Sequence, residues 1–332
     1  MPMEKGGATM RDISTFQRIS LAQLPTPLYQ LPNISARTGK NVYIKRDDMT
    51  GVALGGNKVR KLEFLLAQAL AEGCDYVLTT GGAQSNHAML TAACCNRLGL
   101  SCILVLKKRG VCEKKGNQLL DDLLGADVRF VDTDDYADVY AEMDRICQEL
   151  RQAGHKPYSV PVGGSVALGS LGYALCVQEC VEQAKALGVH FDDMVCCAGS
   201  GGTMAGVLFG SMLYTPDTRV TGIVIDPDDF ATIVSDLVNQ EAQLLESPIR
   251  IQREDVNLYD CYGAGYAIPS PEGEAAIRTM ATQEGLILDP VYTGKTFAGF
   301  LQLCEQGYFD GRENILFLHS GGAGGLFAIG VE

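Results

Sequence analysis

One segment of this chain has the residue types needed for covalent chemistry on a small carbonyl compound. In Lys45-Arg46-Asp47-Asp48-Met49-Thr50-Gly51-Val52-Ala53-Leu54-Gly55-Gly56-Asn57-Lys58, a strand-like run (Val42-Tyr43-Ile44) leads through acidic residues to a glycine pair and one lysine. Lys58 then opens Lys58-Val59-Arg60-Lys61-Leu62-Glu63-Phe64-Leu65-Leu66, which reads as a helix. Glycines let backbone approach a ligand closely. A lysine that loses its charge by desolvation becomes an amine nucleophile, able to form a Schiff base. The plain alternative is a surface lysine at a helix N-terminus. Gly51 and Gly56 have the glycine spacing of a P-loop, but Asn57 stands where its lysine must be, and that reading is rejected.

Four further loops carry polar groups. Gly199-Ser200-Gly201-Gly202-Thr203 follows a strand-like run and precedes a helical one, so its backbone N–H groups and the helix dipole suit an anion such as a phosphate. Its plain alternative is a tight strand–helix turn. As a dinucleotide fingerprint it lacks the third glycine, since position 204 is Met204, although Asp226 at a later strand end keeps that reading open. In Gln84-Ser85-Asn86-His87, Asn86 can donate and accept toward a phenolic oxygen. Ser85 and its neighbours could bind a carboxylate, or Ser85 could simply cap a helix. His87 reads as structural. Asp289-Pro290-Val291-Tyr292-Thr293-Gly294-Lys295 follows the strand-like Leu286-Ile287-Leu288, and a tyrosine so placed could move a proton. Lys295 competes with Lys58 for the Schiff-base role but lacks the glycine pair, and reads as a solvated or ion-paired lysine. His319-Ser320-Gly321-Gly322 offers a hydroxyl for a ring nitrogen, or a serine capping a glycine turn.

These loops need elements to hold them. Apolar runs at 77–80, 103–106, 128–131, 158–162, 194–198, 220–225 and 315–318 read as strands. Helical patterns at 85–98, 117–124, 136–153 and 168–187 lie between them. Alternation with short connections predicts parallel α/β sheets flanked by helices. Ligands in open sheets of this kind bind beyond the carboxyl ends of the strands, which is where the loops above fall.

The chain has 332 residues, 46% hydrophobic and 20% charged, enough for one large or two modest domains. Its net charge of −13 disfavours nucleic acid and anionic membrane surfaces as partners. Twelve cysteines are scattered without a C-x-x-C pair, so they read as free thiols of a cytoplasmic protein, with no metal site. Residues 1–7 lack the apolar centre of a signal peptide, and no apolar stretch is long enough to span a bilayer.

In this order, the five loops resemble those of the fold-type II (tryptophan synthase β-like) pyridoxal-phosphate enzymes. Within that group they are similar to the branch of D-cysteine desulfhydrase, 1-aminocyclopropane-1-carboxylate (ACC) deaminase and L-cysteate sulfo-lyase. The resemblance extends from Leu24-Pro25-Thr26-Pro27-Leu28 to about Phe327. It implies pyridoxal 5'-phosphate on Lys58, with Asn86 at the ring oxygen and Gly199, Ser200, Gly201, Gly202 and Thr203 around the phosphate. Ser85, with Asn86 and His87, would hold the substrate. Tyr292 and Tyr266 would face it, and Ser320 or Thr293 would approach the ring nitrogen. It also implies two domains, a larger one of residues 1–57 and 166–332 and a smaller one of residues 58–165, and a homodimer.

The resemblance implies a carbon–sulfur lyase. ACC deaminases carry glutamate after the tyrosine, whereas Tyr292-Thr293-Gly294-Lys295 has the form found in D-cysteine desulfhydrases. A neutral hydroxyl there gives a weaker electron sink, sufficient to expel thiolate. One departure bears on the substrate: many relatives read Ser-Asn-His-x-Arg-Gln, and this chain has Met89-Leu90 in the last two places. The rival expectations are ACC or L-cysteate as substrate, a nucleotide-dependent oxidoreductase built on residues 199–202 and Asp226, and a non-catalytic pyridoxal-phosphate-binding protein.

Overall fold

The computed structural model describes residues 10–261 and 263–330, so residues 1–7 discussed above lie outside it. In chain order the elements begin with β1 (Leu28–Gln30), α1 (Pro32–Thr38), β2 (Asn41–Arg46) and α2 (Lys58–Ala71). Next come β3 (Tyr76–Gly82), α3 (Asn86–Leu98), β4 (Ser101–Lys107), α4 (Asn117–Leu123), β5 (Asp127–Val131), α5 (Tyr136–Gln152) and β6 (Pro157–Val160). The remainder is α6 (Ala167–Leu187), β7 (Asp193–Ala198), α7 (Gly202–Tyr214), β8 (Arg219–Val224), α8 (Phe230–Leu244), β9 (Leu258–Asp260), α9 (Pro271–Glu284), α10 (Thr293–Glu305), β10 (Asn314–His319) and α11 (Ala323–Ile329).

Two sheets result. One has strand order β5-β4-β3-β6 and is parallel throughout. The other runs β1-β2-β10-β7-β8-β9 and is parallel except for β1, which pairs antiparallel with β2. Helices cover both sheets, as the apolar runs of the central strands require. α7 is apolar on every side (Met204, Val207, Leu208, Phe209), and accordingly it is buried within the core of the six-stranded sheet. All twelve cysteines are free thiols. No helix among the described residues is long and apolar enough to cross a membrane.

One expected strand is absent. Leu286-Ile287-Leu288 buries its two leucines and exposes Ile287, the alternation of a strand, yet it joins no ladder. It is an extended connection between α9 and α10. The short edge strands β1 and β9 carry too few residues for a periodic signal.

Buried polar chemistry fixes α2 in place. Asp47, Arg60, Lys45 and Tyr173 are all fully enclosed. Arg60 grips Asp47 with two hydrogen bonds of 2.7 and 2.9 Å and Glu179 with two of 3.0 Å. Tyr173 donates to Asp47 at 2.6 Å, and Lys45 donates to the Thr26 carbonyl at 2.8 Å. This cluster ties β2, α2 and α6 together, two residues beyond Lys58.

Candidate functional site

The strand ends of both sheets converge on one cleft of about 810 Å³. β3, β4 and β6 supply one wall and β7, β8 and β10 the other, each through the loop after its last residue. Lys58, Ser85, Asn86, His87, Tyr292 and Tyr266 all face this space, as do Gly199, Ser200, Gly201, Thr203 and Ser320.

Lys58 is the first residue of α2, reached through a loop that folds back on itself. At Gly55 φ is +72°, and a Cβ there would lie 1.9 Å from the Asp48 carbonyl oxygen. No other residue type fits that approach. Lys58 as a whole residue is half-buried, and its amine donates to Asn57 Oδ1 at 3.0 Å. Its desolvating walls bring its pKa down to about 8, against the smaller opposing pull of Cys197 and Asp289. An amine of lowered basicity reaches its neutral, nucleophilic form at a lower pH than an ordinary lysine does.

The glycine-rich loop 199–201 joins β7 to the N-terminus of α7. Gly201 sits at φ +79°, where a Cβ would meet Ile233 at 2.5 Å. Gly202 lies behind the cleft wall: its N–H donates to Ser165 Oγ at 3.3 Å, and a Cβ on it would lie 2.7 Å from Lys61 Nζ. The Asn57 amide donates to Thr203 Oγ1 at 2.9 Å, tying the loop to the residue before Lys58.

Several contributors were not legible in the sequence. Lys61, one turn beyond Lys58, is fully buried and donates to the Gly163 carbonyl at 3.1 Å and to Ser165 Oγ at 3.3 Å. Burial, and then the Lys58 charge, push its pKa well down. Ser165 in turn donates to Ser200 at 3.0 Å. Helical periodicity places Lys61 only on α2, and its role depends on a loop a hundred residues away.

Across the cleft, Ser85 caps α3, its Oγ accepting from the Ala88 N–H at 3.2 Å. Asn86 Oδ1 accepts from the Asn117 amide at 2.7 Å, which leaves the Asn86 NH₂ as donor toward the cleft. His87 Nε2 lies 2.9 Å from the Thr79 hydroxyl, which itself donates to the Val160 carbonyl at 2.9 Å. The imidazole therefore joins α3 to β3, and the Thr79 hydroxyl joins β3 to β6. Burial, with the Lys58 and Lys61 charges, keeps the imidazole neutral.

The tyrosines meet each other. Their hydroxyls are hydrogen-bonded, and their rings pack edge to face with centroids 5.9 Å apart. Burial raises Tyr266 to about 12 and Tyr292 further, so both keep their protons and can donate them.

Two expectations are corrected by the geometry. Thr293 does not face the cleft: it is buried, and its hydroxyl donates to Asp289 Oδ1 at 2.7 Å while accepting from the Asp289 N–H at 2.8 Å. Asp289 is the residue that lines the cleft, and its carboxylate also accepts the N–H groups of Val291, Tyr292 and Thr293 at 2.8–2.9 Å. Of the two settings expected for Lys295, solvated or ion-paired, the solvated one is excluded. Lys295 is fully buried, with its amine donating to the Gly265 carbonyl at 2.8 Å.

The chain is similar to proteins of one kind. The family profile described as "Pyridoxal-phosphate dependent enzyme" matches residues 19–321. A protein of Pyrococcus abyssi named "putative 1-aminocyclopropane-1-carboxylate deaminase" is 42% identical over 96% of each chain. A D-cysteine desulfhydrase of Klebsiella pneumoniae is 38% identical, over 96% of this chain and 98% of its own. The crystal structure of an ACC deaminase homologue superposes with a TM-score of 0.89 at 41% identity, covering 95% of this chain and 94% of that one.

Proposed function

The chain belongs to the pyridoxal-phosphate dependent enzyme family, and from that premise we propose that it is a lyase that eliminates the β-substituent of a small amino acid, D-cysteine in the first instance. The cleft residues suit the cofactor. Lys58 offers an amine of lowered basicity, the Asn86 NH₂ a donor for the ring oxygen, and Ser320 a hydroxyl for the ring nitrogen. Gly199, Ser200, Gly201 and Thr203 would surround the phosphate, with Gly202 and the buried Lys61 amine behind them.

When bound, the cofactor supplies the electron sink for a carbanion at Cα. The remaining work falls to side chains. Ser85 and the N-terminus of α3 hold the substrate carboxylate. The Lys58 amine, or Tyr292 for the opposite configuration, takes the Cα proton. The Tyr266–Tyr292 hydroxyl pair gives a proton to the departing sulfur. D-cysteine and one water thus become pyruvate, ammonia and hydrogen sulfide. The observation that carries this reading is the pairing of two protonated tyrosines in the same cleft as the Lys58 amine. A hydroxyl pair is suited to protonating a leaving thiolate.

A second reading, opening of the ACC ring, is favoured by the names of the Pyrococcus relative and of the solved homologue. L-cysteate is the third candidate. A side-by-side assay decides among them. Hydrogen sulfide and pyruvate from D-cysteine, at a kcat/KM at least tenfold above the other two, supports the proposal. Ammonia and a four-carbon 2-oxo acid from ACC at the higher rate replaces it.

The amine also sets a pH dependence. Below about 8 Lys58 is protonated and cannot attack an aldehyde. Cofactor uptake by the cofactor-free protein is expected to slow about tenfold for each pH unit below that value and to level off above it. Stopped-flow absorbance gives the profile. A midpoint near 10.5, the ordinary lysine value, would show that the amine is not desolvated.

A further inference from the structure

Tyr266 lies on a turn that belongs to no strand or helix. Residues 263–267 form bends and turns, closed by the Ile268 N–H on the Gly265 carbonyl at 3.4 Å; Gly265 has φ +129°, and Ala267 has φ +58°, a left-handed conformation that costs an alanine free energy. Such a turn persists only where its surroundings hold it. The Lys295 amine, buried in the first turn of α10, donates to the carbonyl of Gly265, immediately before Tyr266. Tyr292 is the N-cap of that same helix, three residues before Lys295, and its own backbone is clasped by Asp289.

We propose that Lys295 is a positioning residue that clamps the 263–268 turn to α10, so that one helical turn sets both tyrosines of the hydroxyl pair. Asp289 fixes Tyr292 from one side of that turn, and Lys295 fixes Tyr266 from the other. The lysine does not touch the reacting atoms. It sets the separation of the two hydroxyls, and hence the proton donor for the departing group. The Gly265 carbonyl already accepts the Ile268 N–H across the turn at 3.4 Å, a long bond, and the buried amine adds the shorter one at 2.8 Å, which ties the turn to α10. The catalytic part of this inference rests on the lyase reading above. The clamp itself does not.

The test uses the holoenzyme with Lys295→Met, Tyr266→Phe and the double variant. Amide hydrogen exchange comes first, because it needs no substrate. Lys295→Met is expected to speed exchange across residues 263–268 about tenfold to a hundredfold, with α7 and β7 unchanged. Unchanged exchange in that turn would overturn the clamp whatever the substrate proves to be. For D-cysteine turnover, kcat is expected to fall by a similar factor, with KM and the cofactor's visible absorbance preserved. In the Y266F background, K295M should then cost less than threefold, because the clamp no longer has a hydroxyl to position. An equal loss in both backgrounds, or loss of the cofactor band, would overturn the positioning role. Should K295M fail to fold, Lys295→Gln, which is shorter and polar, carries the same expectations. A wild type inactive on D-cysteine would reject that substrate and leave the exchange result to judge the clamp.

Discussion

A Lys58→Ala variant is expected to lose turnover by roughly 10³-fold or more, about 4 kcal/mol in the barrier, while folding as the wild type does. The loss follows from the cleft's chemistry. Lys58 is the cleft's desolvated primary amine at the glycine-rich turn, whereas Lys61 and Lys295 are turned away into hydrogen bonds with the carbonyls of Gly163 and Gly265. Neither can replace it without breaking a buried contact. The fold survives because Lys58 contributes only a hydrogen bond to its neighbour Asn57, at 3.0 Å. Its removal also relieves the cost of enclosing an ammonium group, so the cofactor-free variant should melt no lower than the cofactor-free wild type. Pyruvate assays and thermal melts check both halves. Turnover within tenfold of wild type would place the essential amine elsewhere.

The second large effect lies behind the site. Arg60→Met is expected to destabilise the protein by about 3–5 kcal/mol, because it strands Asp47 and half-enclosed Glu179 without their shared partner. Burial alone would raise Asp47, but the charge and hydrogen bonds of Arg60, aided by Tyr173, outweigh it and hold the carboxyl at about 2. The sign follows. The folded value lies below the ordinary 3.8, so this stabilisation is complete above pH 4 and is lost as pH falls toward 2. Denaturant titrations should show the gap between wild type and Arg60→Met narrowing below pH 4. Because Arg60 shares α2 with Lys58, the variant should also bind cofactor more weakly. A loss under 1 kcal/mol would mean that the cluster tolerates dismemberment, contrary to its enclosure.

The sequence already showed what depends on local pattern. Gly55-Gly56-Asn57-Lys58 marked the amine because a fold-back turn can be made only with glycine, and that requirement is written in consecutive residues. The loops after β3, β7 and β10 were legible because apolar runs ending in glycine announce strand ends, and parallel sheets gather such ends on one side. What was not legible depends on contacts between distant segments. Lys61 and Lys295 look alike as letters, yet each is aimed by a carbonyl supplied from another loop. Thr293 was placed near the ring nitrogen only by the family resemblance, and in the fold its hydroxyl turns inward onto Asp289. Leu286-Ile287-Leu288 has the burial alternation of a strand and no ladder to join, a distinction that only tertiary pairing makes.

The most direct test of the central claim is to reduce the cofactor-loaded protein with borohydride and map the modified peptide by mass spectrometry. One phosphopyridoxyl group is expected, on Lys58. A group on Lys61 or Lys295, or none on any lysine, would contradict it.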